Sequence, residues 1–146
     1  MEWAALIAWV LTAGGGFVML AIWFSRGGMR QRESGRIRPP LILGHFALAA
    51  TGLVLWIVYV ATDSDALAWI AFVLLLVVAG LGFAMFGVWQ RQRQARVGVA
   101  QAVTATSGPI EPAEQRFPIA VVGLHGLGAV TTLVLVLLAA LGVGTS

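Results

Sequence analysis

The strongest constraint on this chain is a set of four stretches without a single charged residue, at 3–24, 41–62, 67–89 and 119–143. Each is longer than the roughly 20 helical residues that, at about 1.5 Å of rise apiece, cross a ~30 Å hydrocarbon core. The runs are continuously apolar rather than alternating, which favours helices over the strands of a membrane barrel. Four transmembrane helices are therefore expected. The composition agrees: 60% of the residues are hydrophobic and only 10% charged, against about 25% charged in a soluble domain. The 146 residues read as one all-α integral membrane domain, 1–146, in which the lipid bilayer takes the place of water.

The nine basic residues are all Arg and fall in two places. Arg26, Arg30, Arg32, Arg36 and Arg38 follow the first span, and Arg91, Arg93, Arg96 and Arg116 lie between the third and fourth. The remaining loop, 63–66, holds Asp63 and Asp65 and no base. Because Arg-rich loops stay cytoplasmic, loops 25–40 and 90–117 are expected inside and both termini outside, in the plasma (inner) membrane. The pI of about 11.1 thus reflects topology. Nucleic-acid binding would need basic residues interleaved with stacking aromatics on a solvated face, and no such partner is expected. Met1-Glu2 lacks the positive start of a cleaved leader, so the first span is expected to remain as an anchor. Trp3 and Trp69 are expected as interfacial anchors at the outer helix ends, and Trp23 and Trp89 at the inner ones.

Self-similarity organises the four spans further. Residues 13–23 align without a gap to 79–89 at an offset of 66, with identities that include Phe17/Phe83, Met19/Met85 and Trp23/Trp89. Residues 45–55 align to 125–135 at an offset of 80, pairing His45 with His125 and Thr51 with Thr131, and Arg36 falls on Arg116. Apolar helices match by chance at Leu, Val and Ala, so the weight lies on Trp, Met, His, Arg and Phe. Two hairpins of the same topology are expected, repeat 1 at 3–62 and repeat 2 at 67–143, related by a pseudo-two-fold axis along the membrane normal in an up-and-down bundle. The extra residues of the second copy lie in its cytoplasmic loop. There Gln90-Arg91-Gln92-Arg93 extends the third helix, and 104–112, with Gly108, Pro109 and Pro112, reads as a solvated linker.

Within the spans the only ionisable side chains of the acid, base or imidazole type are His45 and His125. An imidazole in a membrane segment is a functional candidate, because its burial is costly unless something pairs with it. The repeat places both at one depth, roughly 6 to 10 Å into the cytoplasmic leaflet. Helices 2 and 4 are diagonal in such a bundle, about 13 Å apart when neighbouring axes are 8–10 Å apart. That span suits two imidazoles holding one iron from opposite faces of a porphyrin. Ala49 and Gly52 follow His45 on its face, while Gly123, Gly126, Gly128 and Ala129 flank His125 and Gly80, Gly82 and Gly87 lie on helix 3, leaving room for a flat macrocycle. Arg36 and Arg116 precede their His by the same interval and are placed to hold propionate carboxylates.

With these residues the chain resembles the four-helix membrane cytochromes b, in which His on the helices of a bundle ligate haem. The resemblance covers the architecture and the two His positions. It implies a membrane b-type haem protein carrying single electrons, one haem b ligated by His45 and His125 in the cytoplasmic leaflet, and quinone, a membrane redox partner or a soluble donor as partners. Many such proteins carry four His and two haems, whereas this chain has no His in its outer half, so a complete electron path across the bilayer does not follow.

Two other readings stay open. Small residues in membrane helices also serve close packing, which fits a cofactor-free accessory subunit of a larger complex, as a homo- or hetero-oligomer. Met19 and Met85 repeat at the depth of the His and, with imidazole, form a soft donor set for copper. The spans contain no carboxylate or Lys for proton relay, and the chain shows no nucleophile–base arrangement or phosphate loop. A hydrolase is not expected. The absence of Cys removes thiolate ligation and iron–sulfur clusters.

Overall fold

The computed structural model is described over residues 1–30, 37–102 and 112–143, with side chains of 96–102 left aside. Its described residues form four long helices: α1 (Glu2–Ser25), α2 (Pro39–Thr62), α3 (Asp65–Ala102) and α4 (Ile119–Ala140). All four are long and apolar enough to cross a membrane. The breaks have local causes. Pro39 and Pro40 open α2, where the missing N–H groups belong to the unpaired first turn. Asp63 closes that helix in the left-handed region at φ 52°, its N–H donating to the Tyr59 carbonyl at 2.8 Å. Asp tolerates that conformation better than most residues, and α3 restarts two residues later. Pro118 sets the entry to α4.

The third helix runs well past its apolar span. The sequence-based loop 90–117 is instead helical to Ala102 and carries a 3-10 turn at Ala113–Arg116. Gln, Arg and Ala are good helix formers, and nothing between Trp89 and Ala102 breaks the i to i−4 ladder. The linker expected at 104–112 lies outside the described residues, apart from Pro112.

Helix α1 packs most extensively on α4, and α2 on α3, while α1/α2 and α3/α4 touch more sparingly. The bundle is therefore two tight helix pairs facing each other, with a loose seam along each side. Toward the Asp63/Asp65 end the pairs enclose a common core of Trp9, Trp56, Tyr59, Leu75 and Val136, with Ala5, Ala68, Ala71 and Ala139 allowing close approach. Trp9 and Trp56 lie with ring centres 6.4 Å apart, Trp56 and Tyr59 4.7 Å apart. Trp56 Nε1 donates to the Glu2 carbonyl at 3.3 Å, tying the late part of α2 to the start of α1. Buried positions correspond at the offsets of 66 and 80: Ala5 with Ala71, Trp9 with Leu75, Trp56 with Val136, Tyr59 with Ala139.

Trp23 and Trp89, expected as membrane-interface anchors, are buried inside the protein at 1% and 7% exposure. Trp23 lies against Gly28, in the 3-10 turn that folds back over the end of α1. Trp89 Nε1 donates to the Glu114 carbonyl at 3.0 Å. Chain that returns over the helix ends covers both rings, which hydropathy cannot anticipate. Trp3 and Trp69, by contrast, are exposed.

Candidate cofactor site

Each histidine stands six residues beyond the first residue of its helix, α2 for His45 and α4 for His125. Helices 2 and 4 belong to opposite tight pairs, and their imidazoles approach across the bundle to 6.4 Å between ring centres, with planes inclined by 62°. Each ring is fixed by the partner helix of its own pair. His45 Nδ1 donates to the Val78 carbonyl of α3 at 3.0 Å, and His125 Nδ1 to the Thr12 carbonyl of α1 at 2.9 Å. Thr12 and Val78 are themselves separated by the repeat offset of 66.

A carbonyl only accepts, so both Nδ1 atoms carry hydrogen, and Nε2 is the nitrogen left to hold a lone pair in the neutral form of each ring. A ligating imidazole is oriented in the same way, by a carbonyl on the nitrogen away from the metal. The 6.4 Å between ring centres is within the span over which two imidazoles could share one ion at metal–nitrogen bonds of about 2.0 Å.

Glycines make the approach possible, but from the facing helices rather than from the helices that bear the histidines. A Cβ on Gly16 of α1 would come within 3.2 Å of His125 Cε1, and one on Gly82 of α3 within 3.4 Å of His45 Cε1. Gly15 also faces His125, at 3.6 Å from its Cβ. Gly52, expected beside His45, instead admits Trp9, and Gly128 admits Thr12. Gly123 and Gly126 face open space.

Around the histidines most residues are half-buried or exposed: in 10–22 of α1, 39–51 of α2, 79–88 of α3 and 119–131 of α4 none is buried, whereas Val78, whose carbonyl accepts from His45, is. The Phe17 and Phe46 rings meet edge to face across the α1/α2 seam, with centres 5.3 Å apart.

The remaining sequence candidates take separate places. Met19 and Met85 are half-buried, three residues after Gly16 and Gly82 and so on the same helix faces. Arg116 lies in the 3-10 turn before α4 and is exposed, while Arg36 falls outside the described residues. Sequence reasoning passed over Glu114. Its side chain is 1% exposed, and Oε1 accepts the Ile37 N–H at 3.1 Å, fixing the approach to α2. Gln115 Nε2 donates to the Trp89 carbonyl and to Gln92 Oε1. This knot closes the Arg-rich end of the bundle. Its sequence signal is weak, since Glu114 is one of two acidic residues, with Glu111, between Arg96 and Arg116.

Among the described residues there is no cluster of three or more His, Cys, Asp or Glu. A metal ion that relies on three or four such ligands is thus poorly served by these residues. Comparison with protein families, with characterised proteins and with solved structures finds no match for this chain.

Proposed function

We propose that the chain is an integral membrane haem protein, two helical hairpins around a pseudo-two-fold axis, which carries single electrons through one haem b held between His45 and His125. The observation that carries this reading is the pair of imidazoles 6.4 Å apart, each with Nδ1 tied to a backbone carbonyl at an equivalent position. Bound there, haem would supply a one-electron iron couple. The chain's own part is to hold two Nε2 lone pairs toward one point, keep water out with apolar helices, and set a low dielectric that tunes the potential. In this reading the Arg-rich end is cytoplasmic and both termini lie outside. Arg116 and Arg36 attract the propionates from the cytoplasmic rim. Quinone, a membrane redox protein or a soluble donor would exchange electrons with the haem.

The test is an absorption spectrum of protein purified from haem-supplied cells. The expected result is a Soret band that sharpens and shifts on dithionite reduction and is lost in His45→Ala and in His125→Ala. A colourless, metal-free, monodisperse protein would overturn it in favour of a cofactor-free accessory subunit. Copper bound without porphyrin, and lost in Met19→Leu or Met85→Leu, would favour the second reading, for which the shared faces of Gly16 with Met19 and Gly82 with Met85 speak.

A further inference from the structure

The α3/α4 seam differs from its counterpart. At the Arg-rich end it forms an open groove of about 430 Å³ with a graded lining. Its floor is apolar, made by Phe86 of α3 and by Ile119, Val122 and Gly123 of α4. Its mouth is polar, made by Gln90, Arg93 and Gln94, where α3 continues beyond its apolar span. The Arg93 guanidinium lies 4.9 Å from the centre of the Trp89 ring, a stacking that holds its position while leaving its N–H edge available. Arg93 meets no carboxylate among the described residues.

The same seam in the first hairpin cannot do this. At the offsets of 66 and 80, Gln90, Arg93 and Gln94 correspond to Phe24, Gly27 and Gly28, and Gly123 corresponds to Leu43. Helix α1 ends at Ser25, so no helical extension stands above that seam. The groove exists where the second hairpin departs from the first: a cation and two amides gained at the mouth, and a side chain removed from the floor.

We propose that this groove is a binding site for one anionic phospholipid of the cytoplasmic leaflet, its phosphate on Arg93 with Gln90 and Gln94, and an acyl chain along Phe86, Val122 and Gly123. The occupant follows from charge and polarity together. A fixed guanidinium and amide donors match a phosphate, and the apolar floor runs from that point toward the bundle's middle, as an acyl chain does from its headgroup. Basic sites between helices on the cytoplasmic side are suited to such headgroups. The proposal rests on the membrane placement above and is independent of haem.

The experiment uses the full chain in nanodiscs of phosphatidylcholine with a minor fraction of phosphatidylglycerol, followed by release into detergent and native mass spectrometry of co-purified lipid. Wild-type protein should retain phosphatidylglycerol over phosphatidylcholine, and Arg93→Gln should lower that preference about five-fold. Arg91→Gln, on the same helix but outside the groove, should leave it unchanged. Gly123→Leu, which installs the residue of the first hairpin where a Cβ meets nothing within 4 Å, should displace the lipid without unfolding the chain. Equal losses in Arg93→Gln and Arg91→Gln would overturn the site in favour of diffuse attraction. Absence of any preference in the wild type, or a dimer that Gly123→Leu dissociates, would overturn it as well. Failure of the protein to enter nanodiscs at all would instead overturn the membrane placement.

Discussion

Toward the Asp63/Asp65 end the bundle interior is filled by Trp9, Trp56 and Tyr59, whereas at the level of His45 and His125 most residues are half-buried or exposed, with Val78 an exception. Both regions belong to the same four helices and have the same apolar character. They differ in side-chain size at the inward positions. Large rings from α1 and α2 meet Ala68, Ala71, Val136 and Ala139 in the first region, so large fits against small. In the second, glycines face the imidazoles, Gly16 at His125 and Gly82 at His45. One region is closed by large rings on small residues, and the other by two imidazoles bonded to facing backbone.

The contrast can be broken at either region, and the largest expected effect is all-or-none. His125→Ala should abolish the Soret chromophore while costing the haem-free protein in micelles, in a denaturant titration, only about 1 kcal/mol, the worth of the hydrogen bond to the Thr12 carbonyl. A much larger loss would mean that the imidazole pair is structural. Next comes Trp56→Ala, expected to cost about 3–5 kcal/mol in the same titration without altering the ligation spectrum of the folded fraction. Glu114→Ala should cost about 1–3 kcal/mol by leaving the Ile37 N–H without its acceptor, while Glu114→Gln, which keeps an oxygen there, should retain most of it.

Smaller effects sharpen the picture. Gly16→Ala places a methyl 3.2 Å from His125 Cε1 and should weaken haem retention by about 1 kcal/mol. Gly82→Ala should weaken it less, because its methyl reaches only 3.4 Å from His45 Cε1. A haem titration followed at the Soret band ranks the two, and the reverse order would show that the distance from glycine to imidazole does not set the effect. Last, Thr132→Val removes the 3.4 Å contact with Thr12 that links α4 to α1. About 0.6 kcal/mol is expected, since each hydroxyl also bonds a carbonyl of its own helix, Ala8 for Thr12 and Gly128 for Thr132.

The helices were legible because their cause is local: a long run without charge has few ways to satisfy its backbone in an apolar setting. The histidines stood out because they are rare and recur at matching positions. Trp23 and Trp89 were misjudged because their burial depends on chain that folds back over the helix ends, the Gly28 turn for one and the Glu114 turn for the other. Gly82 of the third helix was legible as a residue that leaves room at the site, whereas Gly52, Gly123, Gly126 and Gly128 beside the histidines do not face the rings and Gly16, which does, was passed over. Helical spacing reports which residues share a face and says nothing of what that face meets.

The sequence by itself determined four spans, the asymmetry of charge between their ends, and two histidines at matching positions of a repeat. Each follows from the order of residues along the chain. The tertiary structure decided that α1 pairs with α4 and α2 with α3, that each imidazole gives its Nδ1 hydrogen to the facing helix, and that the two rings come to 6.4 Å. The reason is that hydropathy and spacing are properties of single helices. Orientation of a ligand is a property of two, set by which surfaces lose their gaps when packed together.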